Sequence, residues 1–372
     1  MYAVRDGANH FVMPAYLATN AVGINVVSPS LGAGGIQKLV ENASPIPRDR
    51  VFLGYNYFQG AQLGLPNGGT ANVNRLTPGF EKTFLNQRAS VEFRVPFATT
   101  VDNVNLSGLS NTGSIQLGNV TAYMKALLYT DSVNSWTTGL GVQMPTANGT
   151  TMNTTLVGRD INGNADPRTW TVATIGNEAV HIMPYLGYVY TPNDRFYAQS
   201  VMQFDVCTNG NPVSTAAVYP VTTFDPTTGQ LNGFTTGATP LTRTGMLQDT
   251  NFMYLSANAG YWIYKVRNPY ETGLTGIAPT VEVHYNQSLQ KGDVVAGPYG
   301  NMASPVSGVS NVNGVVGVNT IIGHDKYLTA AYVAPFTNGV NNKFFDGELR
   351  VMFNYYFGGS LANARFANVP GQ

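Results

Sequence analysis

Three pairs of ionisable residues each stand two positions apart, a spacing that puts both side chains on the same face of a β-strand. The pairs are Glu92 with Arg94, Glu282 with His284, and Glu348 with Arg350. Inside a narrow protein interior such groups should pair, because an unpaired buried charge is costly. Around an aqueous passage the same groups would set a field across the lumen and select solutes.

Other ionisable residues fall on the polar faces of neighbouring predicted strands and extend this set. Two interpretations stay open for the whole set. One is an internal salt-bridge network that holds a barrel shut or narrow, and the other is the lining of a selective pore. The predicted lumen-lining residues are Arg75, Glu81, Glu92, Arg94, Lys125, His181, Arg195, Asp205, Glu282, His284, Glu348 and Arg350.

The histidines raise the question of catalysis. His181 and His284 both fall on polar strand faces, and Glu282 is placed to orient His284. Some barrels of this size are lipases or proteases that use Ser/His or Asp/His pairs. The sequence has no Gly-x-Ser-x-Gly elbow, no His-Glu-x-x-His motif and no Walker loop. We therefore expect no enzyme, no catalytic residue, no bound cofactor and no metal.

Charge is scarce in this chain of 372 residues. Only 11% of residues are Asp, Glu, Lys or Arg, against about 25% in a typical soluble domain. Gly (41), Tyr (21) and Phe (18) are abundant instead, as they are in outer-membrane barrels and in some capsid and surface-layer proteins. The formal net charge of 0 provides no basic field for nucleic acid. No apolar run reaches the roughly 18 residues of a transmembrane helix.

The chain contains a single cysteine, Cys207. One thiol excludes an internal disulfide framework and a metal site built from cysteines. Cys207 lies where a predicted strand meets the longest loop. We expect a free thiol there, with a cross-link site as the alternative.

Alternating apolar and polar residues predict the elements that position these groups. In Phe345–Phe357, Leu349 and Phe353 share one face, while Glu348 and Arg350 share the other. One apolar face and one charged face suit a wall between lipid and a polar lumen. About 12 such segments are present, each about 9–14 residues long, which is enough to cross a bilayer at a tilt. They are Arg50–Phe58, Asn74–Leu85, Ala89–Phe97, Leu117–Leu128, Asn134–Met144, Val180–Tyr190, Asp194–Val206, Phe252–Lys265, Ile277–Ser288, Gly314–Gly323, Lys326–Ala334 and Phe345–Phe357.

The connections between these strands alternate in length. Short links such as Asn86–Arg88 and Thr191–Asn193 follow the even strands, and long links such as Pro145–Ala179 and Cys207–Asn251 follow most odd ones. A meander of hairpins produces this alternation, whereas the Greek-key crossovers of a sandwich would not. The sequence therefore predicts an all-β fold, a closed antiparallel up-and-down transmembrane β-barrel with short periplasmic turns and long, solvated extracellular loops. The last strand should close it by pairing with the first.

Three regions follow from this pattern. Residues 1–49 lack alternation and form an N-terminal periplasmic lead-in or, alternatively, a plug in the lumen, with a short helix over 36–42. Residues 50–358 form the barrel, and residues 359–372 form a C-terminal tail. Aromatic residues at strand ends predict girdles at the membrane boundary, although strands favour aromatics in any case. The boundary set is Tyr55, Tyr57, Phe58, Tyr188, Tyr190, Phe196, Tyr197, Tyr261, Trp262, Tyr264, Phe353, Tyr355 and Phe357.

Several motifs resemble blocks of one group of proteins. Pro47-Arg-Asp-Arg-Val-Phe-Leu-Gly-Tyr-Asn-Tyr-Phe, Pro78-Gly-Phe-Glu-Lys-Thr-Phe-Leu and Ala89-Ser-Val-Glu-Phe-Arg-Val-Pro-Phe look like the start of porin-like outer-membrane barrel proteins of planctomycete-type bacteria, whose function is uncharacterised. Asn258-Ala-Gly-Tyr-Trp, Thr280-Val-Glu-Val-His-Tyr and Asp346-Gly-Glu-Leu-Arg-Val look like later blocks. The resemblance spans residues 44–358 and implies an outer-membrane barrel without a defined substrate. The tail after Phe357 departs from barrels that end on a terminal aromatic.

The sequence thus predicts an outer-membrane channel of a Gram-negative bacterium, in which small polar solutes diffuse passively through a narrow charged lumen. The expected partners are the lipid bilayer, those solutes and, in one alternative, further copies in a homo-oligomer or array. The alternative function is a structural β-protein without transport, such as a surface-array or capsid-like subunit or a purely structural barrel. A soluble sandwich would place Glu92, Arg94, Glu348 and Arg350 in water.

Overall fold

The computed structural model describes residues 4–5, 11–12, 24–25, 44–62, 70–105, 111–159, 164–224, 228–266, 272–297, 300–304, 308–337 and 343–357. The predicted helix over 36–42 and the predicted tail over 359–372 lie outside these residues. All regular structure in the described part of the chain is β-structure. Within the same residues, no helix is long and apolar enough to cross a bilayer.

The wall of the fold is a closed antiparallel barrel of 12 strands, as the alternation predicts. The strands are numbered in chain order, and each pairs with the next. They are β1 (Arg50–Gln62), β2 (Thr70–Phe84), β3 (Ala89–Arg94), β4 (Val120–Thr130), β5 (Asn134–Met144), β6 (His181–Tyr190), β7 (Phe196–Cys207), β8 (Phe252–Tyr261), β9 (Leu274–Ser288), β10 (Ser310–Ile322), β11 (Lys326–Pro335) and β12 (Gly347–Tyr356).

The last strand closes the barrel against the first. Tyr356 of β12 lies opposite Arg50 of β1, and Gly347 lies opposite Gln59. The predicted pairing of the first and last strands is therefore confirmed, and the wall has no free edge at this seam.

Apolar side chains lie outside this wall and charged side chains lie inside it. On the outer face Leu53 is 44% exposed and Val281 is 57% exposed, whereas on the inner face Glu92 is 0% and Arg350 is 4% exposed. A soluble sandwich would reverse this distribution, so the sandwich alternative is wrong. An apolar outer face of this extent is covered by lipid, which makes the barrel a transmembrane one.

Tight turns connect the strands at one end, here called the short-turn end. In the turn after β2, three consecutive residues over 85–87 have positive φ angles. In the turn between β4 and β5, the Asp131 carboxylate accepts hydrogen bonds from the backbone N–H groups of Val133 and Asn134 at 2.7 and 2.6 Å. Because these donors stabilise the charged form, the pKa of Asp131 falls to about 2.

The long links at the other end, here called the long-loop end, contain further strands, which corrects the prediction of solvated loops. β-Branched residues are frequent in these links and favour extended backbone. Met152, Ile175, Val213 and Leu247 form the centre of a separate apolar core there, each at most 1% exposed. The strands in these links are Phe97–Asn105, Asn111–Leu117, Thr150–Arg159, Ala165–Ile175, Asn211–Thr215, Val218–Phe224, Leu231–Ala238, Thr242–Leu247, Val294–Gly297 and Gly300–Ala303.

A few two-residue strands complete the β-structure. Val4–Arg5 pairs with Phe11–Val12, and Ile24–Asn25 runs parallel to Gly300–Ala303. Tyr264–Lys265 pairs with the start of β9.

Aromatic residues of the predicted boundary set occupy two different places. Tyr55, Tyr261 and Phe353 point outward and are 36%, 47% and 38% exposed, as a girdle requires. Tyr197 and Trp262 are instead 0% exposed and belong to an apolar cluster inside the barrel. The assignment of these two to the membrane boundary is therefore wrong. They belong to the same apolar cluster as Ile46, which lies just before β1 and occupies the short-turn end of the lumen.

Candidate functional site

A group of ionisable residues, here called the short-turn cluster, occupies the lumen near the short-turn end. It consists of Arg50, Glu81, Glu92, Arg94 and Lys125, which come from the four adjacent strands β1 to β4. Arg50 Nε lies 2.8 Å from Glu81 Oε2, and Arg50 Nη2 lies 2.8 Å from Glu92 Oε2. Lys125 Nζ lies 3.1 Å from Glu81 Oε2 and also pairs with Glu92. Arg94 Nε pairs with the other oxygen of Glu92.

The short-turn cluster is dry and densely paired. Glu81, Glu92 and Lys125 are each 0% exposed. Three cations share two carboxylates, and neutral acceptors satisfy further donors, since Arg50 Nη1 donates to Asn354 Oδ1 at 2.8 Å. The cluster therefore fills this side of the lumen with paired charge that water does not reach.

The chain just before β1 enters the barrel at the same end. Residues 44–47 are here called the plug segment. Ile46 at its centre is 2% exposed and belongs to an apolar cluster with side chains from the β6 to β12 side of the barrel. Its neighbours in this apolar cluster are Val189, Tyr197, Trp262, Ala278, Ile321, Tyr327 and Tyr356.

Polar contacts fix the plug segment to the wall. The Ser44 carbonyl accepts a hydrogen bond from Lys125 Nζ at 3.2 Å, and the Pro45 carbonyl accepts one from the Tyr185 hydroxyl at 3.2 Å. A Cβ atom at Gly187 would lie only 2.7 Å from Pro45 Cβ, so the glycine makes room for the segment. These contacts close the short-turn end. For the remainder of residues 1–49 the choice between lead-in and plug stays a prediction.

A second group, here called the mid-lumen cluster, consists of Glu282, His284, Glu348 and Arg350. Arg350 Nε lies 3.0 Å from Glu348 Oε1, and Arg350 Nη1 lies 3.8 Å from Glu282 Oε2. His284 Nε2 lies 3.1 Å from Glu282 Oε2. In the wall β9 and β12 are separated by β10 and β11, so the contact between Arg350 and Glu282 passes through the lumen on one side of the barrel.

A serine also contacts the histidine of the mid-lumen cluster. Ser256 Oγ lies 2.8 Å from His284 Nδ1, while Glu282 contacts Nε2. Serine hydrolases use the opposite arrangement, in which the carboxylate holds Nδ1 and the serine faces Nε2. These contacts hold the imidazole in place between two strands of the wall.

A third group lies towards the long-loop end. His181 Nδ1 lies 2.7 Å from Asp205 Oδ1, and His181 Nε2 lies 3.1 Å from Asp249 Oδ2. All three residues are less than 10% exposed. The histidine therefore bridges two carboxylates, one from β7 and one from the link between β7 and β8.

The two remaining candidates lie in different surroundings. Arg75 is 7% exposed and points inward, with its guanidinium carbon 5.0 Å from the centre of the Phe58 ring. Arg195 lies in the turn before β7, where it is exposed and donates to the Trp262 carbonyl at 3.3 Å. Its assignment to the lumen needs correcting, because the strand begins only at Phe196 and the arginine belongs to the exposed turn.

Sequence reasoning missed several residues that the fold brings into the lumen. Arg50 and Asn56 have the inward parity of β1, so the alternation alone could have identified them. Asp249 lies in a long link, where no alternation marks it, and the plug segment was predicted only as one alternative for residues 1–49 as a whole. Their partners are set by the fold rather than by any local pattern.

Several solved outer-membrane proteins are similar to this barrel in three dimensions. An outer-membrane channel from Pseudomonas putida F1 is 12% identical with a TM-score of 0.46, over 87% of this chain and 100% of that chain. The NanC porin is 8% identical with a TM-score of 0.42, over 83% and 100%. The P. putida toluene transporter TodX is 8% identical with a TM-score of 0.43, over 91% and 100%. No protein-family model and no curated protein matches the sequence. These likenesses concern the barrel fold alone.

Proposed function

We propose that the chain is an outer-membrane channel through which small polar solutes diffuse passively. This proposal rests on the distribution of side chains across the wall. Ionisable groups lie on the inner face from the short-turn cluster to Asp205, and apolar side chains lie on the outer face. Among barrels, 12 strands lie between those filled by side chains and the wide porins, so the passage is narrow.

Stability alone gives no reason for a charged interior. A buried ion pair is often no more stabilising than well-packed apolar side chains of similar volume. Ionisable residues inside the membrane are expensive and generally mark a pathway for ions or solutes. A purely structural barrel of this size could be filled with apolar residues, so the charges of the lumen favour transport over the structural alternative.

The plug segment makes conduction a gated event. Its Ile46 fills the short-turn end, and Ser44 and Pro45 are bonded to Lys125 and Tyr185 of the wall. Because residues 44–47 precede the first wall strand, they can leave the lumen without breaking a strand pair of the wall. Solutes would then pass between the charged clusters.

The solute class follows from the balance of charge. The mid-lumen cluster pairs Glu282 and Glu348 with His284 and Arg350, and the short-turn cluster likewise mixes both signs. Neither sign dominates among these residues. We therefore expect weak selectivity between cations and anions and preference for small, well-hydrated solutes over apolar ones.

Planar-bilayer recording tests the proposal. The full chain is compared with a variant in which Ser44-Pro-Ile-Pro is replaced by Gly-Ser-Gly-Ser. We expect brief, small conductance steps from the wild type and longer open times from the variant, with a reversal potential near zero in a salt gradient. A matched control makes the same four-residue replacement at Thr227-Thr-Gly-Gln, in the link between Val218–Phe224 and Leu231–Ala238.

The outcome separates the two functions. Absence of conductance in both chains, from protein that migrates as a folded barrel on unboiled gels, would favour a structural barrel without transport.

We further infer from the motif resemblance that the chain belongs with porin-like barrels of planctomycete-type bacteria. We expect the chain to catalyse no reaction.

A further inference from the structure

Three potential metal ligands meet near the long-loop end of the barrel. The donor atoms of His181, Cys207 and Asp249 all lie within 4.8 Å of one another. His181 begins β6 and lies directly opposite Cys207, the last residue of β7. Asp249 arrives from the far end of the long link between β7 and β8, so the fold and not the sequence spacing brings the three together.

The distances suit a shared tetrahedral ion. Ligands bound to zinc through nitrogen and oxygen at about 2.0–2.1 Å stand roughly 3.3 Å apart across a tetrahedral angle. His181 Nε2 and Asp249 Oδ2 are 3.1 Å apart. The thiol of Cys207 lies within 4.8 Å of both atoms, so a movement of at most about 1.3 Å brings it to the roughly 3.5 Å separation of zinc-bound sulfur and nitrogen.

A fourth residue holds the histidine in the orientation that such a site requires. Asp205 Oδ1 lies 2.7 Å from His181 Nδ1 and fixes that nitrogen as a donor. This leaves Nε2 to face Asp249 and Cys207. A carboxylate behind the distant nitrogen of a ligating histidine is a recurrent outer partner in zinc proteins.

Charge favours a cation at this position. Asp205 and Asp249 are 6% and 5% exposed, and His181 is 4% exposed. Two carboxylates therefore flank one imidazole in a place of low exposure, and Asp249 Oδ1 also accepts a hydrogen bond from Asn211 Nδ2 at 3.3 Å. A divalent ion would compensate the charge of these carboxylates, as paired or metal-bound buried charges generally do.

We propose that His181 Nε2, the Cys207 thiolate and the Asp249 carboxylate bind a divalent ion of the zinc class, and that Asp205 positions His181. A mixed nitrogen, sulfur and oxygen donor set suits zinc and not calcium or magnesium, which take oxygen ligands. Binding releases two protons to water, namely the Cys207 thiol proton, now donated to the Asn209 carbonyl at 2.8 Å, and the proton on His181 Nε2. The inference departs from the expectation based on the cysteine count, which considered sites built from several cysteines.

Cobalt(II) substitution provides a direct test. The detergent-purified full chain is stripped with a chelator and titrated with Co²⁺, because a cobalt–thiolate bond gives a charge-transfer band in the near ultraviolet. Cys207 is the single cysteine of the chain, so any such band reports this residue. We expect the band to saturate at one equivalent of Co²⁺ and to disappear when Zn²⁺ is added.

Variants then assign the ligands. Cys207→Ala should abolish the band, Asp249→Asn should weaken Zn²⁺ binding at least tenfold in competition with a chromophoric chelator, and Asp205→Asn should weaken it about 10- to 100-fold. Asp325→Asn, in the short turn between β10 and β11 at the opposite end of the barrel, is the matched control and should bind like the wild type.

Two results would overturn the proposal. One is a wild-type chain, folded by its gel mobility, that shows no cobalt–thiolate band at stoichiometric Co²⁺. The other is a Cys207→Ala variant that binds Zn²⁺ as tightly as the wild type, which would mean an adventitious ion only. The rate at which a thiol reagent modifies the wild-type protein gives a check without any variant, since Zn²⁺ should slow it at least tenfold.

Discussion

Shortening the side chain at the centre of the plug segment should open the barrel. Ile46 is 2% exposed and is enclosed by side chains from several strands, including Tyr356, and by Trp262. Replacing it by alanine removes most of the apolar contact that keeps residues 44–47 in the lumen. The hydrogen bonds of Ser44 and Pro45 with the wall are left unchanged.

The size of the effect follows from this burial. Truncating a buried isoleucine to alanine costs about 2–5 kcal/mol, more than the about 1 kcal/mol of either plug hydrogen bond. Because Ile46 precedes the first wall strand, we expect this loss to fall on docking of the segment and not on the barrel. At the lower limit, about 2 kcal/mol raises the ratio of undocked to docked segment roughly 30-fold.

Single-channel recording measures that ratio as the time the channel spends open divided by the time it spends closed, from which the open fraction follows. We expect Ile46→Ala to raise the open fraction by an order of magnitude or more, with unchanged conductance of the open state. Ile322→Ala is the matched control, because it removes the same atoms from a side chain that lies on the outer face and is 37% exposed. Equal open fractions for wild type and Ile46→Ala would refute the assignment of this segment as the gate.

Three further changes test other parts of the structure. Glu92→Gln should lower the temperature at which the folded gel band is lost, because it leaves three buried cations with the single carboxylate of Glu81 and breaking a buried ion pair costs about 3–5 kcal/mol, whereas Asp325→Asn at an exposed pair should not. Glu348→Gln should shift the reversal potential in a salt gradient towards anion selectivity, since the carboxylate 3.0 Å from Arg350 is neutralised; an unchanged potential would place this cluster outside the conduction path. Asp131→Ala should lower thermal stability at neutral pH and lose this effect near pH 2. Its folded pKa of about 2 lies below the ordinary 3.8, so the carboxylate stabilises the fold above pH 3.8 and this contribution disappears as the pH falls to 2. A difference in melting temperature between the variant and the wild type that stays constant from neutral pH to pH 2 would contradict the stabilising role of the Asp131 carboxylate.

The wall of the barrel could be predicted from the sequence because burial in a strand repeats every two residues. Glu348 and Arg350 alternate with Leu349 and Val351, and this period determines which face of β12 points inward. The alternation of short and long links then determined which ends of the strands lie together.

The contents of the lumen were harder to predict because they depend on contacts between distant segments. Trp262 was assigned to the membrane boundary, since an aromatic at a strand end gives no sign of which face it occupies. Ile46 stands in a segment without any periodic pattern, and its partners are spread over several strands. Asp249 meets His181 only because the link between β7 and β8 returns to the end of the barrel at which β6 begins and β7 ends.

The position of Arg50 has a consequence for how the protein is assembled. Its guanidinium bonds Asn354 at a separation of 304 residues along the chain, as well as Glu81 and Glu92 nearby. The coordination of this arginine therefore becomes complete only when the final strand joins the first, and the same strand brings Tyr356 to the apolar cluster of Ile46. Contacts of such long range form slowly. Closure of the seam and completion of the hydrogen bonds of Arg50 are therefore one event, so that a chain lacking the final strand would leave this buried guanidinium without one of its acceptors.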